Sequence, residues 1–179
     1  MTASSLQLDE PVIRDVQEAD LPVCGSWYNH YILSSTATFE EAPLTDEEFS
    51  LRAAEITASY PWIVLERDGK LCGYAYLSAF NFRSAYRFTA DVAVYLNPEE
   101  TGKGYGRLLM EALEERAKEK GIKKLVSLVT EGNTASERLH HSLGYRKVGT
   151  LERSGYKFGK WISVTFYEKD IGTFLEDVH

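Results

Sequence analysis

The chain has 179 residues, a formal net charge of −7 at pH 7 and a sequence pI near 5.2, and 44% of its residues are hydrophobic. This length predicts one compact domain that folds without a metal or a disulfide, and the apolar content argues against a disordered chain. The acidic balance argues against nucleic acid or an anionic membrane surface as the main partner, because both are bound through excess Lys and Arg.

The first part of the chain predicts one strand and two helices. Asp20 is the expected N-cap of the first helix, with Pro22 in its first turn. Thr45 and Glu48 form a capping-box pattern ahead of the second helix, which is expected to end near Ser59. The strand is expected over Pro11–Arg14 and the first helix over about Asp20–Leu33.

The middle of the chain is typical of an antiparallel meander. Asp68-Gly69 is a strong hairpin-turn signal between two stretches rich in Val, Leu, Tyr and Trp. A third strand is expected before Asn97-Pro98, which closes it. The predicted strands are Trp62–Arg67, Leu71–Leu77 and Phe88–Leu96.

The second half of the chain predicts a strand–helix–strand unit that a crossover connection makes parallel. Apolar residues recur at helical spacing over 106–120, and Gly121 is a suitable residue just past the helix end. Thr134 and Glu137 form a second capping-box pattern, here for a short helix that Gly144 stops. The remaining predicted strands are Lys124–Thr130, Arg146–Glu152 and Trp161–Glu168.

Together these elements predict an α/β fold in a single domain over residues 11–172, with 1–10 as a flexible N-terminus and 173–179 as a C-terminal tail. The central sheet is expected to be mixed and mostly antiparallel, with one parallel strand–helix–strand unit. The first ten residues lack the features of a signal peptide, and no apolar run is long enough to cross a bilayer. We therefore expect a cytoplasmic location.

The cysteines and histidines give no sign of a metal site or a disulfide. Cys24 and Cys72 lie in apolar surroundings and are expected to be buried thiols. The four histidines, at positions 30, 140, 141 and 179, lack metal-ligand spacing with each other or with the cysteines. We predict no structural metal.

Three alternating glycines mark the junction between the third strand of the meander and the helix after it. Gly102, Gly104 and Gly106 let backbone amides approach an anion, and the helix dipole favours negative charge at the same place. Their spacing fits neither the Gly-x-Gly-x-x-Gly dinucleotide loop nor the triphosphate P-loop. A plain turn is the alternative, but Lys103 and Arg107 add positive charge and favour a bound pyrophosphate.

This glycine loop, with its flanking strand and helix, resembles the acyl-CoA pyrophosphate loop of the GNAT N-acetyltransferases, whose pattern is Arg/Gln-x-x-Gly-x-Gly/Ala. The similarity spans about residues 12–171 and is specific to the phosphinothricin and methionine sulfoximine acetyltransferase branch. The segments that carry it are TATFE (36–40), YPWIV (60–64), GYAY (73–76), RSAYRFTADVAVYL (83–96), EGNTASERLHHSLGY (131–145) and GYKFGKW (155–161).

The resemblance implies the GNAT fold, with helices on both faces of the sheet, and acetyl-CoA as co-substrate without a metal. Main-chain groups of Val94, Tyr95 and Leu96 are expected to pair with the pantetheine arm, and a backbone N–H there to face the oxyanion. Asn133 is expected either to touch the CoA arm or to be an ordinary helix cap, and the sequence leaves both open. The residues expected to hold the pyrophosphate are Gly102, Lys103, Gly104, Tyr105, Gly106 and Arg107.

Asp91 is the carboxylate that the resemblance assigns as general base toward the acceptor amine. It alternates with apolar residues in a strong strand, and without the family a solvated strand face would be the simpler interpretation. The branch usually has Glu at this position. The shorter Asp side chain makes a bridging water the expected route for the proton.

His140 lies within LHHSLGY, where related acetyltransferases often place a Tyr near the CoA sulfur. An imidazole there is expected to protonate the departing thiolate at cytosolic pH, although a surface or packing role is the alternative. His141, a quarter-turn away on the same helix, is expected to be structural.

Arg83 and Tyr86 match branch positions near the acceptor. The guanidinium of Arg83 is expected to hold a carboxylate or phosphinate in bidentate fashion. Thr38 and Phe39 are expected to line the same pocket, with a packed loop as the alternative. For Lys157 and Trp161 the sequence leaves open whether they lie near the acceptor or at a dimer contact.

Three residues depart from the branch pattern: Asp91 replaces Glu, Thr101 stands where the loop usually begins with Arg or Gln, and Ser163 stands where Asp is common. The change at Thr101 is expected to weaken pyrophosphate binding, with Lys103 able to compensate.

The leading prediction is acetyl transfer from acetyl-CoA to the amine of a small amino acid or analogue, such as phosphinothricin, methionine sulfoximine or methionine sulfone. Transfer is expected to be direct, in a ternary complex, because no residue stands out as an acyl-carrying nucleophile. A homodimer follows from the resemblance alone.

Two alternatives stay open. A polyamine, aminoglycoside or protein N-terminus would be favoured as acceptor by an acidic cleft without Arg83 facing inward. A weakly catalytic CoA-binding sensor would fit the shortened carboxylate and the altered start of the loop.

Overall fold

Seven strands and four helices are found in residues 10–174, the part of the chain that the computed structural model describes. The strands are β1 (Val12–Asp15), β2 (Trp62–Arg67), β3 (Lys70–Ala79), β4 (Thr89–Leu96), β5 (Lys124–Thr130), β6 (Arg146–Lys157) and β7 (Lys160–Asp170). The helices are α1 (Leu21–Ser34), α2 (Asp46–Thr57), α3 (Tyr105–Glu119) and α4 (Thr134–Ser142).

All seven strands belong to one sheet in the order β1-β2-β3-β4-β5-β7-β6. Every neighbouring pair is antiparallel except β4 and β5, which are parallel. Helix α3 connects these two parallel strands. The predicted α/β class, with one parallel unit in a mostly antiparallel sheet, is confirmed.

Helices cover both faces of the sheet. Successive side chains of each strand point to opposite faces, so each face has its own buried cluster. In β2, Ile63 and Leu65 pack in one buried cluster with Leu109 and Leu113 of α3. Trp62 and its neighbours on the opposite face pack in a second cluster with α1 and α2. This second cluster contains Cys24, Tyr28, Ile32, Phe49, Ala53, Trp62, Val64 and Tyr74.

The turn between β2 and β3 follows the sequence signal directly. Asp68 and Gly69 have φ of 50° and 72°, and they connect the paired residues Arg67 and Lys70. Positive φ at both central residues is the requirement of a two-residue type I′ hairpin, which Asp-Gly satisfies. The hairpin prediction is confirmed.

The helix caps were predicted correctly in one case of three. The Thr45 side chain accepts a hydrogen bond from the Glu48 amide, and the Glu48 carboxylate accepts one from the Thr45 amide at 2.8 Å, so this capping box is confirmed. Asp20 does not cap α1, because its carboxylate is bound to Arg14 at 2.7 Å and to the Gln17 amide at 2.8 Å.

The capping box predicted at the start of α4 is also wrong. Asn133 precedes the first helical residue, and its side-chain oxygen accepts a hydrogen bond from the Ser136 amide at 3.2 Å. Gly132, with a φ of 85°, turns the chain just before it. Asn is at least as good an N-cap as Thr, so the helix begins with Thr134 as its first helical residue.

The β6–β7 hairpin is longer than predicted. The first strand of the hairpin was predicted to end at Glu152. Arg153 has a φ of 52° there, and the register of the β6–β7 pair shifts between Leu151 and Gly155. Pairing nevertheless resumes after this bulge and continues to Lys157 and Lys160. Bulges of this kind bend a strand without ending it.

The prediction of two buried thiols is confirmed: Cys24 and Cys72 are buried, and neither forms a disulfide within residues 10–174. Within residues 10–174 no helix is long and apolar enough to cross a membrane. The predicted flexible N-terminus and C-terminal tail fall mostly on residues 1–9 and 175–179, outside the described residues, so the domain limits stay a prediction.

Candidate active site

The parallel strands β4 and β5 separate part-way along their length. Pairing runs only from Thr89 with Lys124 to Asp91 with Val126, although both strands continue for four or five more residues. On its other edge, β4 stays paired with β3 as far as Leu96. From Val92 onward β4 therefore has no strand partner on the β5 side, and an extended ligand can pair with it there.

Two cavities occupy this opening. The smaller one, about 90 Å³, lies between the separated strands, and the larger one, about 400 Å³, extends from them to the glycine loop. Ala37, Val94, Tyr95, Asn133 and Ser136 line both. The larger cavity is completed by Tyr31, Leu96, Thr101, Gly102, Gly104, Gly106, Arg107, Ala135 and Leu139.

The glycine loop meets the larger cavity at the N-terminus of α3. Gly102 and Gly104 have φ of 76° and 85°, in the left-handed region that favours glycine. Gly104 precedes the first residue of α3 and provides no side-chain cap, so first-turn amides are free for an anion. Tyr105 is buried, and its hydroxyl accepts a hydrogen bond from Arg67 at 3.0 Å.

The two cations of this loop are already paired within the chain. Lys103 bonds Glu100 at 2.7 Å, and Arg107 bonds Glu111 at 2.9 Å. Arg107 also lines the larger cavity, whereas Lys103 lines a separate one with Arg67 and Glu100. The geometry thus places Arg107, rather than Lys103, beside the anion site.

Of the two interpretations that the sequence left open for Asn133, the helix cap is confirmed and the contact with the CoA arm stays a prediction. Its side chain caps α4, as described above, and the residue lines both cavities.

Asp91 lies at the last paired position before the strands separate. It faces Ser78 across β3 and Val126 across β5. One carboxylate oxygen, Oδ1, is buried without a hydrogen-bond partner. Burial raises the pKa of this carboxyl to about 6. A carboxylate of this pKa is ionised at neutral pH and is still a useful proton acceptor.

His140 lies in the wall of the smaller cavity and is only 2% exposed. Its Nδ1 is 2.7 Å from the Ser136 carbonyl oxygen, and its Nε2 is buried without a partner. The rings of Tyr145 and Tyr167 pack against it at 4.9 and 5.7 Å between centroids. Burial lowers the pKa of the imidazole.

Comparison with known proteins gives this arrangement a context. The sequence pattern of the Acetyltransferase (GNAT) family matches residues 25–145. A phosphinothricin N-acetyltransferase from Alcaligenes faecalis is 40% identical over 161 residues, which cover 89% of this chain and 82% of the relative. An L-methionine sulfoximine/L-methionine sulfone acetyltransferase from Salmonella typhimurium is 33% identical, covering 87% of this chain and 92% of the relative.

A solved structure agrees with these relatives. The phosphinothricin acetyltransferase from Sinorhizobium meliloti, in complex with AcCoA, superposes with a TM-score of 0.88 at 35% identity, covering 90% of this chain and 89% of that chain. The chain belongs to the GNAT acetyltransferase family. The predicted family, its branch and the enzyme class of N-acetyltransferase are confirmed.

The two predicted acceptor residues on the β3–β4 loop lie away from the cavities of this GNAT acetyltransferase. Arg83 is exposed and stacks over the ring of Phe82 at 4.7 Å. Tyr86 is 42% exposed and packs against Phe80. Within one chain, Arg83 therefore contacts an aromatic ring on the surface rather than a carboxylate site.

The other two predicted acceptor residues lie on the loop between α1 and α2. The Thr38 hydroxyl bonds the Tyr28 hydroxyl at 3.0 Å, and Phe39 packs against Gly155. Lys157 is buried and donates to the carbonyl oxygens of Ser35 and Thr38 at 2.9 and 2.8 Å. Lys157 thus fixes the loop that carries Thr38 and Phe39, and its place near the acceptor or at a dimer contact stays open.

Several residues of the site were not anticipated from the sequence. Tyr31 donates to the Leu96 carbonyl at 2.9 Å, across the open end of β4, and Ala37 lines both cavities. Ser136, which also lines both cavities, is the one that the sequence could have indicated. A residue four positions before His140 on a helix lies on the same face as His140. Within residues 10–174 no three His, Cys, Asp or Glu side chains gather as a metal site.

Proposed function

We propose that this chain transfers an acetyl group from acetyl-CoA to the primary amine of a small amino acid or analogue, of the phosphinothricin, methionine sulfoximine or methionine sulfone type. The observation that carries the proposal is the position of Asp91, an ionisable carboxylate at the point where β4 and β5 separate, next to Val92, the first residue of β4 that lines the cleft leading to the glycine loop. The names of the relatives support the same acceptor class.

The residues of the cleft fit acetyl-CoA, which supplies an acetyl group on a thioester. The unpaired edge of β4 from Val94 to Leu96 offers main-chain groups to the amides of an extended arm. The free amides after Gly104 and the guanidinium of Arg107 suit a pyrophosphate. Gly102 and Gly106 line the same cavity and keep side chains out of the way.

Asp91 accepts the proton of the attacking amine in this proposal. Its short side chain favours transfer through a bridging water. A backbone N–H of the Val94–Leu96 edge faces the carbonyl oxygen as negative charge develops there. The chain thereby provides both the base and the oxyanion donor.

Transfer is direct in this proposal. The thiols of Cys24 and Cys72 are buried, and burial raises the pKa of Cys24 to about 12 and raises the pKa of Cys72 as well. A protonated, buried thiol is a poor nucleophile. Neither cysteine lines the β4–β5 cleft.

A homodimer and a cytoplasmic location are also part of the proposal. The β5–β7–β6 side of the sheet has exposed apolar residues: Leu128 is 50%, Leu151 54% and Trp161 62% exposed. A second copy covering this side would bury them. Sedimentation equilibrium tests this point, since a monomer at micromolar concentration would contradict it.

A second acceptor class has one observation in its favour. Arg83 is exposed, whereas Glu40 and Asp91 each have a buried carboxylate oxygen without a partner. Glu40 pairs through its other oxygen with Arg52 at 2.7 Å, so within residues 10–174 the uncompensated charge is that of Asp91. Buried negative charge suits a cationic acceptor such as a polyamine or a basic N-terminus.

A thiol-release assay with acetyl-CoA separates these possibilities. The panel contains phosphinothricin, methionine sulfoximine, methionine sulfone, spermidine, an aminoglycoside and a short peptide, with mass spectrometry of each product. We expect amine-dependent release with the amino acid analogues. Release only with the cationic amines would favour the second class, and CoA binding without release from any amine would favour a sensor.

A further inference from the structure

The imidazole of His140 has a fixed tautomer. Nδ1 is 2.7 Å from the carbonyl oxygen of Ser136, and a carbonyl oxygen only accepts hydrogen bonds. Nδ1 must therefore carry the hydrogen. In the neutral ring this leaves Nε2 with a lone pair and no hydrogen.

Within residues 10–174 no group donates a hydrogen bond to the lone pair of Nε2. The atom is buried without a hydrogen-bond partner, and the whole residue is 2% exposed. The rings of Tyr145 and Tyr167 hold the imidazole from two sides, so it cannot easily rotate toward another group. A buried acceptor left unpaired is destabilising, and a hydrogen-bond donor on a ligand would remove that cost.

The residue lines the smaller cavity between β4 and β5. The other polar residues of that cavity are Ser127, Thr130, Asn133 and Ser136, and its apolar wall is β4 from Val92 to Tyr95. This space opens to the larger cavity through shared residues such as Val94 and Asn133. Whatever enters along β4 from the glycine loop ends beside His140.

We propose that His140 binds the acyl donor through its Nε2 lone pair, which accepts a hydrogen bond from an amide N–H group of the donor arm, and that it does not give a proton to the departing sulfur. The proposal rests on acetyl-CoA as the donor in the function proposed above. On this assignment the sulfur keeps the electron pair of the broken C–S bond and takes its proton from water in the open cleft.

Two substitutions distinguish a hydrogen-bond acceptor at position 140 from a proton donor at the same position. His140→Gln places an amide oxygen near the position of Nε2, so it keeps an acceptor but has no titratable proton. His140→Leu removes both. We expect kcat/KM for acetyl-CoA to stay within about threefold in His140→Gln and to fall about tenfold in His140→Leu, as for one lost hydrogen bond. His141→Gln, at the neighbouring exposed position, is the matched control and should match the wild type.

Calorimetry of CoA, acetyl-CoA and desulfo-CoA binding identifies the group that donates a hydrogen bond to Nε2. This measurement does not depend on enzymatic activity. Weaker binding of all three to His140→Leu would assign an amide N–H of the arm, whereas weaker binding of CoA alone would place the contact on the thiol of the product and overturn the proposal. Unchanged binding of all three would overturn the proposal. So would a kcat in His140→Gln as low as in His140→Leu, because only a proton donor is lost equally in both.

Nitrogen NMR of the histidine rings of the unmodified protein provides a test that no folding defect can affect. We expect a hydrogen on Nδ1 and none on Nε2 at neutral pH; the opposite tautomer would overturn the proposal. A wild type that binds CoA but releases no thiol with any amine would contradict the proposed function while leaving these binding and NMR results to decide the role of His140.

Discussion

The ammonium of Lys157 donates a hydrogen bond to the main-chain carbonyl of Thr38 over 2.8 Å, and it reaches the carbonyl of Ser35 at 2.9 Å. The two partners lie on the loop between α1 and α2, whereas Lys157 is at the end of β6. A buried ammonium with two backbone acceptors stabilises this loop. The β6–β7 hairpin therefore positions the loop that carries Thr38 and Phe39.

Lys157→Met should weaken acceptor binding more than donor binding. It removes two charge-assisted hydrogen bonds, so we expect the free energy of unfolding to fall by about 2–3 kcal/mol and KM for the acceptor to rise. The affinity for acetyl-CoA should change little. Denaturant unfolding, acceptor KM and calorimetric CoA binding measure the three effects.

Lys160→Met is the control for that substitution, because Lys160 pairs with Lys157 across the same hairpin and is exposed. It should match the wild type in all three measurements. An acceptor KM unchanged in Lys157→Met, in protein that is shown to be folded, would mean that the loop does not shape the acceptor site.

The activity should decrease as the pH falls through about 6. Burial raises the pKa of Asp91 to about 6, so the carboxylate is charged above this pH and accepts a proton, and it is protonated and inactive below it. Asp91→Asn should lower kcat most at neutral pH, whereas Asp91→Glu should retain or raise it. A pH–rate profile of each variant is the measurement, and equal rates for wild type and Asp91→Asn would remove the base role.

Asp91→Asn should also stabilise the protein at high pH. Because the pKa in the folded protein exceeds the ordinary value of 3.8, the folded state binds the proton more tightly, and stability is lost as the pH rises through about 6. Asn is never charged, so the variant should melt higher than the wild type at pH 8, by roughly half as much at pH 5, and alike only below the ordinary value of 3.8. The same difference in melting temperature at pH 8 and pH 5 would show that burial does not raise the pKa of this carboxyl.

Arg107 should contribute more to donor binding than Lys103 does. Arg107 lines the larger cavity, whereas Lys103 faces a different one and is bound to Glu100. We expect Arg107→Ala to raise KM for acetyl-CoA about tenfold and Lys103→Ala to raise it less. S-acetyl-pantetheine, which has no pyrophosphate, is the control donor, and Arg107→Ala should not change its use. A larger effect of Lys103→Ala would reverse the assignment.

Local signals predicted most elements because they act within a few residues. Asp68-Gly69 gave the correct hairpin, and Thr45 with Glu48 gave the correct cap. The sequence pattern at Thr134 could not reveal that Asn133 caps α4, since both residues are good caps.

Features that depend on distant contacts could not be predicted from pattern. The two strands β4 and β5 stop pairing after Asp91, and no residue type in either strand indicates this in the sequence. Lys157 contacts a loop more than a hundred positions earlier. Asp91, His140 and Arg83 were all assigned by resemblance. The sequence does not specify the direction in which the surface loop that carries Arg83 points.

Gly155→Ala should disturb the acceptor side through Phe39. An added Cβ at Gly155 would lie 2.5 Å from Cζ and 2.8 Å from Cδ2 of the Phe39 ring, closer than carbon atoms approach, so the ring must move. We expect a loss of about 1–3 kcal/mol in the free energy of unfolding and a higher acceptor KM, with CoA binding retained. Gly149→Ala is the matched control on the same strand, because nothing lies within 4 Å of its added Cβ. Adding Phe39→Leu to Gly155→Ala should recover part of the stability, since the smaller side chain leaves room for the methyl group; no recovery would place the clash elsewhere.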